Sequence, residues 1–200
     1  MNYGEIIFSY PLIAYLLGSI PFGLILSNLF GNGRLRESGS RNIGATNVLR
    51  TQGRFLGFCT FLLDFSKSFI PSYFLANTDN ELINLMTISA PVLGHMFPIW
   101  LKFKGGKGVA TYFGLLAALD IYLFLGTGFV WIVVFAIFRM SSVACLSSIV
   151  FSCGLFCYIM NFRHLEFFNR LCVLIFLAII IFIKHHENIR RLISNKELKL

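Results

Sequence analysis

Long apolar runs, interrupted by short segments rich in glycine, arginine and lysine, set the pattern of this chain. Crossing a hydrocarbon core of about 30 Å takes about 20 apolar residues, within a range of roughly 17–25. Residues 6–29 form the first such run, made irregular by Pro11, Gly18, Pro21 and Gly23. Residues 55–76 form the second, with Asp64 and Lys67 inside it, and 82–101 the third. The run 109–138 would be roughly 45 Å long as one helix, too long for one crossing. Asp120 sits near its middle, so the pattern predicts two short spans, 109–119 and 121–138, turning at that residue. Residues 141–160 make a sixth span and 170–183 a short seventh. The expectation is an all-α, polytopic membrane helix bundle of about seven transmembrane helices, forming a single domain over 1–200.

Composition narrows the class. The chain is 56% hydrophobic and 13% charged, against roughly 25% charged in soluble proteins, and it carries 23 Phe. One small soluble core cannot hide that much apolar surface. Cys59, Cys145, Cys153, Cys157 and Cys172 lie in apolar runs without a C-x-x-C pair, which predicts buried inert thiols rather than disulfides or a zinc site. Residues 1–10 lack a basic n-region and the first run is long enough to span, so no cleavable signal is expected.

The net charge of +8 would suit nucleic acid if it were spread over a surface, but the basic residues are confined to short loops and a tail. Anionic lipid and anionic substrates are the expected partners, and no nucleic acid. The positive-inside rule orients the bundle. With seven spans, the N-terminus outside and the C-terminus cytosolic, 14 of the 17 Lys and Arg fall on the inner face. Merging the fourth and fifth spans would move Arg139 and the basic tail outside.

Three polar segments on that face carry candidate chemistry. Residues 102–111 read K-F-K-G-G-K-G-V-A-T. Gly105, Gly106 and Gly108 would let the backbone N–H groups converge on one spot, Lys102, Lys104 and Lys107 would make it anion-seeking, and the following helix N-terminus would add its positive end. Snorkelling membrane anchors need lysines but not three glycines. It is not a P-loop, because Gly108 rather than Ser or Thr follows Lys107 and Leu101 stands at the first-glycine position. Upstream, residues 34–51 read R-L-R-E-S-G-S-R-N-I-G-A-T-N-V-L-R-T, with almost nothing apolar to pack. Ser40 can offer a hydroxyl and Arg50 a bidentate fork to phosphate, while Asn42 and Asn47 suit left-handed corners or polar contacts. Residues 184–192, K-H-H-E-N-I-R-R-L, place His185 and Asn188 on one helical face. Ser142 opens the sixth span beside Arg139, Ser141 and Cys145, where small polar groups could line the same pocket. His95 is read first as a hydrogen-bonded packing histidine, and Asp64 with Lys67 as a structural ion pair. There is no G-x-S-x-G, no H-x-x-x-x-D pair and no thiol in an electropositive loop. The inventory is rich in cations and poor in carboxylates, which suits stabilising phosphoryl and oxyanion charge, with no metal and no cofactor expected.

Together these segments resemble the bacterial acyl-phosphate:glycerol-3-phosphate acyltransferase family, whose motifs take the forms G-S-x-N-x-G-A-T-N-x-x-R, G-H-x-x-P followed by F-K-G-G-K-G-V-A-T, and H-x-x-N-I-x-R-L. They stand here at 39–50, 94–111 and 185–192, in order and from the first span to the tail. The resemblance implies transfer of a fatty acyl group from acyl phosphate to the 1-hydroxyl of glycerol 3-phosphate, giving 1-acylglycerol 3-phosphate (lysophosphatidic acid) and inorganic phosphate in phospholipid biosynthesis. It further implies a bacterial cytoplasmic (inner) membrane, an active site facing the cytosol, and a link to an acyl-phosphate-producing enzyme. Carried over by motif position, the catalytic residues are Ser40, Arg50, Lys107, His185 and Asn188. Substrate-binding positions are Asn42, Asn47, Lys104, Gly105, Gly106, Gly108 and Ser142. Cys145 stands where the family has a serine, with Ser142 one turn earlier as a substitute, and Arg41 where it often has glycine. The alternative from another class is a membrane carrier for small organophosphates, against which stands the absence of visible inverted repeats and midplane binding groups.

Overall fold

Residues 7–163 and 167–200 are described by the structure, a computed structural model of the chain. Every regular element among them is helical: α1 (Tyr10–Gly18), α2 (Phe22–Phe30), α3 (Ala45–Gln52), α4 (Arg54–Phe74), α5 (Glu81–Met96), a 3₁₀ turn (Ile99–Leu101), α6 (Val109–Leu119), α7 (Ile121–Phe138), α8 (Ser141–Phe162), α9 (Phe168–Lys184) and α10 (His186–Ile193). The start of the first expected span, at residue 6, lies outside the described residues.

Local chemistry explains the breaks. Pro21 has no N–H to continue a helical ladder, and α1 and α2 part just before it. Asp120 adopts extended backbone between α6 and α7, and its Oδ1 accepts the N–H groups of Tyr122 at 2.8 Å and Leu123 at 3.1 Å, capping α7. The same carboxylate pairs with the Arg163 guanidinium. Asn80 caps α5 in the same way through Ile83 N–H.

By length and composition, Tyr10–Phe30, Glu81–Leu101, Ile121–Phe138 and Ser141–Phe162 are each able to cross a membrane. The pair α9–α10, bent by 58°, would make a fifth. Two of the seven expected spans differ for physical reasons. α6 has 11 residues and so rises only about 16 Å, half a hydrocarbon core. α4 is 21 residues long but carries Thr60, Asp64, Lys67, Ser68 and Ser72, all of them buried. Its outward side chains, Phe55, Phe58, Leu62 and Ile70, are exposed and apolar, as a lipid-facing surface requires.

The helices group into two units, one ending at Leu119 and one from Asp120 to Leu200. In the first, α1 packs on α5, and α4 packs on α3 and α6. The α1–α5 approach is close enough that a Cβ at Gly94 would overlap the Tyr15 carbonyl oxygen, so glycine is required there. In the second, α8 packs against both α7 and α9. Cys145 is buried as expected, but Cys172 is exposed on α9.

Candidate functional site

The lysine loop is built backwards onto the end of α5. The last carbonyls of a helix lack intrahelical partners, and here the loop supplies them: Gly106 N–H donates to His95 O at 3.0 Å and Gly105 N–H to Met96 O at 3.2 Å. The Tyr15 hydroxyl closes Phe97 O at 2.7 Å. A Cβ at Gly105 would overlap His95 O and Pro98 Cδ, and one at Gly106 would overlap His95 Nε2. These two glycines therefore serve close approach, and their N–H groups do not point at an anion, which corrects the expected N–H cradle. Gly108 takes the left-handed region (φ +84°) and its carbonyl accepts Thr111 Oγ1–H at 2.8 Å and Tyr112 N–H at 2.8 Å, turning the chain into α6. Lys107, half-buried, is thereby delivered at the N-terminus of α6, where the macrodipole is positive. Lys104 is exposed.

The first polar segment is more structured than its composition suggests. Leu35, Ile43 and Val48 bury themselves with Leu56, and Leu101 packs on that cluster from the start of the lysine loop. The rest of the segment is organised by Asn47, which is 1% exposed. Its Oδ1 accepts Ser40 N–H at 2.8 Å, while its Nδ2 donates to Asn42 O at 2.9 Å, Leu35 O at 3.1 Å and Ser38 O at 3.2 Å. Expected as a substrate contact, Asn47 has its amide groups committed to the loop, so it shapes the site and presents Ser40. Asn42 makes a local turn, accepting Gly44 N–H at 2.8 Å. The left-handed corners fall on Gly39 and Arg41, not on either asparagine. Arg50, half-buried, occupies the last turn of α3, where a cation suits the helix end. Arg36 joins the two segments, its Nη2 donating to Lys104 O at 2.9 Å. Ser40, Asn42, Asn47 and Arg50 are thus tied to the loop holding Lys104, Gly105, Gly106, Lys107 and Gly108.

The second unit holds His185, and brings Ser142 and Asn188 together on Glu197. His185 sits at the junction of α9 and α10 and is 3% exposed. Its Nδ1 is 2.8 Å from Ile181 O. A carbonyl can only accept, so Nδ1 carries the proton and Nε2 is the basic nitrogen of the neutral ring. Glu197, unflagged by sequence reasoning, organises the rest. Its Oε1 accepts Ser142 Oγ–H at 2.8 Å and Asn188 Nδ2–H at 2.6 Å, and its Oε2 accepts Arg191 Nε–H at 2.8 Å. Burial pushes this carboxyl up, but the donors from Asn188, Arg191 and Ser142 and the guanidinium charge outweigh it and hold the group below the ordinary carboxylate range. The tail beyond Leu192 is mostly exposed, and it is held by this clamp and by Leu200 N–H donating to Arg139 O at 2.9 Å. A lone glutamate in a basic tail carries no sequence signal for that role, except its conflict in sign with its neighbours. Of the two residues in question on α8, Ser142 joins this cluster, whereas Cys145 accepts Trp131 Nε1–H at 3.3 Å.

The family profile described as glycerol-3-phosphate acyltransferase matches residues 8–195. Proteins bearing that same name are similar throughout: one from Pelagibacter ubique is 45% identical, covering 94% of each chain. One from a Wolbachia of Culex pipiens is 44% identical over 94% of this chain and 95% of its own. Among solved structures, crystal forms of PlsY, an integral membrane glycerol 3-phosphate acyltransferase, superimpose closely. Its glycerol 3-phosphate form gives a TM-score of 0.87 at 35% identity, covering 98% of this chain and 96% of that one. Its lysophosphatidic acid form gives 0.84, covering 98% and 95%.

Proposed function

The chain belongs to the glycerol-3-phosphate acyltransferase family, and from that premise we propose that its acyl donor is acyl phosphate and its acceptor the 1-hydroxyl of sn-glycerol 3-phosphate. The hydroxyl oxygen bonds to the acyl carbonyl carbon, the mixed-anhydride C–O bond breaks, and orthophosphate leaves together with 1-acylglycerol 3-phosphate. Both substrates are phosphates, so their mutual repulsion has to be offset by fixed cations and donors. Ser40, Arg50 and Lys107 are assigned to phosphate oxygens, Lys107 together with the start of α6. Lys104, Asn42 and Gly108 stand beside them, while Asn47, Gly105 and Gly106 act by shaping the loops. His185 Nε2 faces the proton-transfer role, with Asn188 and Ser142 held in place by Glu197. Because acyl phosphate is already activated, holding the hydroxyl near the carbonyl supplies much of the rate, and general-base help adds about 10²- to 10⁴-fold. No step in this scheme calls for a metal or a cofactor.

The membrane arrangement proposed with it counts seven spans, of which α6 covers only about half of the hydrocarbon thickness, with the N-terminus outside and these segments on the cytosolic side of a bacterial inner membrane. The burial of Asp64 and Lys67 supports α4 as a crossing, since its charges are withheld from lipid. The proposal includes a functional link to an acyl-phosphate-producing enzyme.

The observation that carries this reading is the joining of two cationic segments far apart in sequence, through Arg36 and Lys104 O and through Leu101 on the Leu35–Val48 cluster. The test is purified protein given acyl phosphate and glycerol 3-phosphate, with orthophosphate release followed against an acyl-CoA control. Release is expected with acyl phosphate alone. Vesicle flux of glycerol 3-phosphate without acyl transfer would overturn the reading in favour of a carrier.

A further inference from the structure

Beneath the lysine loop, the first unit buries a charge cluster that the reaction scheme above leaves unused. Asp64 is 1% exposed and Lys67 6%. Lys67 Nζ is ion-paired with Asp64 Oδ1 at 2.9 Å, one turn back along α4, and donates to Ile20 O at 2.9 Å in the break between α1 and α2. It also lies 5.7 Å above the Phe22 ring. His95 Nδ1 stands 3.6 Å from the same Asp64 Oδ1. The cluster therefore ties three elements together: the α1–α2 break, α4, and the end of α5.

A buried ion pair is a poor source of stability, because apolar replacements of similar volume often serve as well or better. Inside a membrane its presence points to a use. The use here is set by what His95 touches. Its carbonyl accepts Gly106 N–H, and its ring occupies the space that any side chain at residue 106 would need. Asp64 thus faces the His95 ring across 3.6 Å, His95 seats Gly106 from two directions, and Gly106 is followed directly by Lys107. α6, which Lys107 leads into, rests on α4 beside this cluster: a Cβ at Gly114 would overlap Phe65 O, the carbonyl next to Asp64.

We propose that Asp64, Lys67 and His95 are positioning residues that set the seat of the Gly105–Lys107 loop, and through it the affinity for the phosphate of the substrate. The inference rests on the reading of Lys107 as an anion-binding residue. It goes beyond that reading in giving three residues that touch no substrate control over KM.

The test is kinetic and uses the full-length protein in detergent. Two network variants keep the interior free of a lone charge: the double variant Asp64→Asn/Lys67→Met, and His95→Phe, which keeps a ring against Gly106 but removes the nitrogen facing Asp64. Each is expected to elute as the wild type does and to raise KM for glycerol 3-phosphate about tenfold, with a smaller effect on kcat. Each is then combined with Lys107→Ala. If the network acts through Lys107, the combined variants lose little beyond Lys107→Ala alone, whereas a merely structural role gives losses that add. Unchanged KM in either network variant, or full additivity, overturns the inference while leaving a crippled Lys107→Ala to support the anion site. Normal kinetics in Lys107→Ala would overturn the anion site itself. Should the double variant not fold, His95→Phe alone decides the matter.

Discussion

Gly105→Ala adds one methyl group at the point where the lysine loop meets α5. That methyl would overlap the His95 carbonyl oxygen and Pro98 Cδ, and would lie 2.9 Å from the Met96 carbonyl carbon. Two of the three clashing groups are backbone, so no side-chain rotation relieves them. The loop must retreat, and it gives up Gly105 N–H to Met96 O and Gly106 N–H to His95 O as it does so. Each buried group left unpaired costs about 1–3 kcal/mol, against a total stability of about 5–15 kcal/mol for a domain. The released groups lie next to the exposed Phe103 and Lys104 and regain water, so the cost falls below that of groups left wholly unpaired, and the fold survives while the closed loop does not. A displacement on the order of 1 Å at a positioned group is worth about 10²-fold in rate, so kcat/KM for acyl transfer should fall by about two orders of magnitude while thermal unfolding shifts modestly. Orthophosphate release by the purified variant measures the first, and a melting curve in detergent the second. The matched control is Gly154→Ala in α8, where nothing lies within 4 Å of the added Cβ and activity should be unchanged. Wild-type kcat/KM in Gly105→Ala would refute the claim that this close seat delivers Lys107.

Four further outcomes follow from the same contacts. Lys107→Ala and Arg50→Ala should each cripple turnover in folded protein, and near-normal kinetics in both would remove the anion site. Asn47→Ala abandons Ser40 N–H and three loop carbonyls; with partial rescue by water the cost is about 2–4 kcal/mol, readable as a lowered melting temperature together with lost activity. His185→Asn should lower kcat at least about 10²-fold if Nε2 takes the hydroxyl proton, whereas a retained rate would assign that proton to a substrate phosphate oxygen. For Glu197, the folded carboxyl titrates below its unfolded value, so its contribution is complete above the unfolded value and is lost as pH falls through the folded one; wild-type melting should drop in that acid window, and Glu197→Gln, already weakened at neutral pH, should lack the drop.

Much of the fold was legible because its signals are local. A break at Asp120 follows from the length of the run 109–138, and the structure shows the residue capping α7 there. Helices α4 and α7 to α9 begin and end within a few residues of where the apolar runs do. α3 was not legible, because its buried face is only Asn47 and Val48 and its neighbours Leu35 and Ile43 lie outside any periodic run. The candidate site residues were legible as chemistry, while their partners were not. Nothing in K-F-K-G-G-K-G says that two glycine N–H groups are consumed by the preceding helix, since that depends on how the chain folds back. Glu197 was missed for the same reason: its three donors come from residues 142, 188 and 191, and only tertiary structure makes them neighbours.

The division of labour between backbone and side chain is what separates this loop from phosphate cradles built of main-chain N–H groups. The end of α5 leaves the carbonyls of His95 and Met96, both buried, and unsatisfied carbonyls cost several kcal/mol in an apolar setting. Gly105 and Gly106 satisfy them, as Tyr15 does Phe97 O, so those donors are spent on the fold before any ligand arrives. On the proposed reading, what remains for an anion is Lys107 with the opening turn of α6, and in the joined segment Ser40 and Arg50. Such a site draws its strength from full charges rather than from aligned dipoles, and full charges act over longer distances but with less directional control. Direction has to come from what holds the lysine. That places the burden on the close packing of Gly105 and Gly106 against α5, and it predicts that neither glycine tolerates alanine, although the N–H of each is spent on the end of α5.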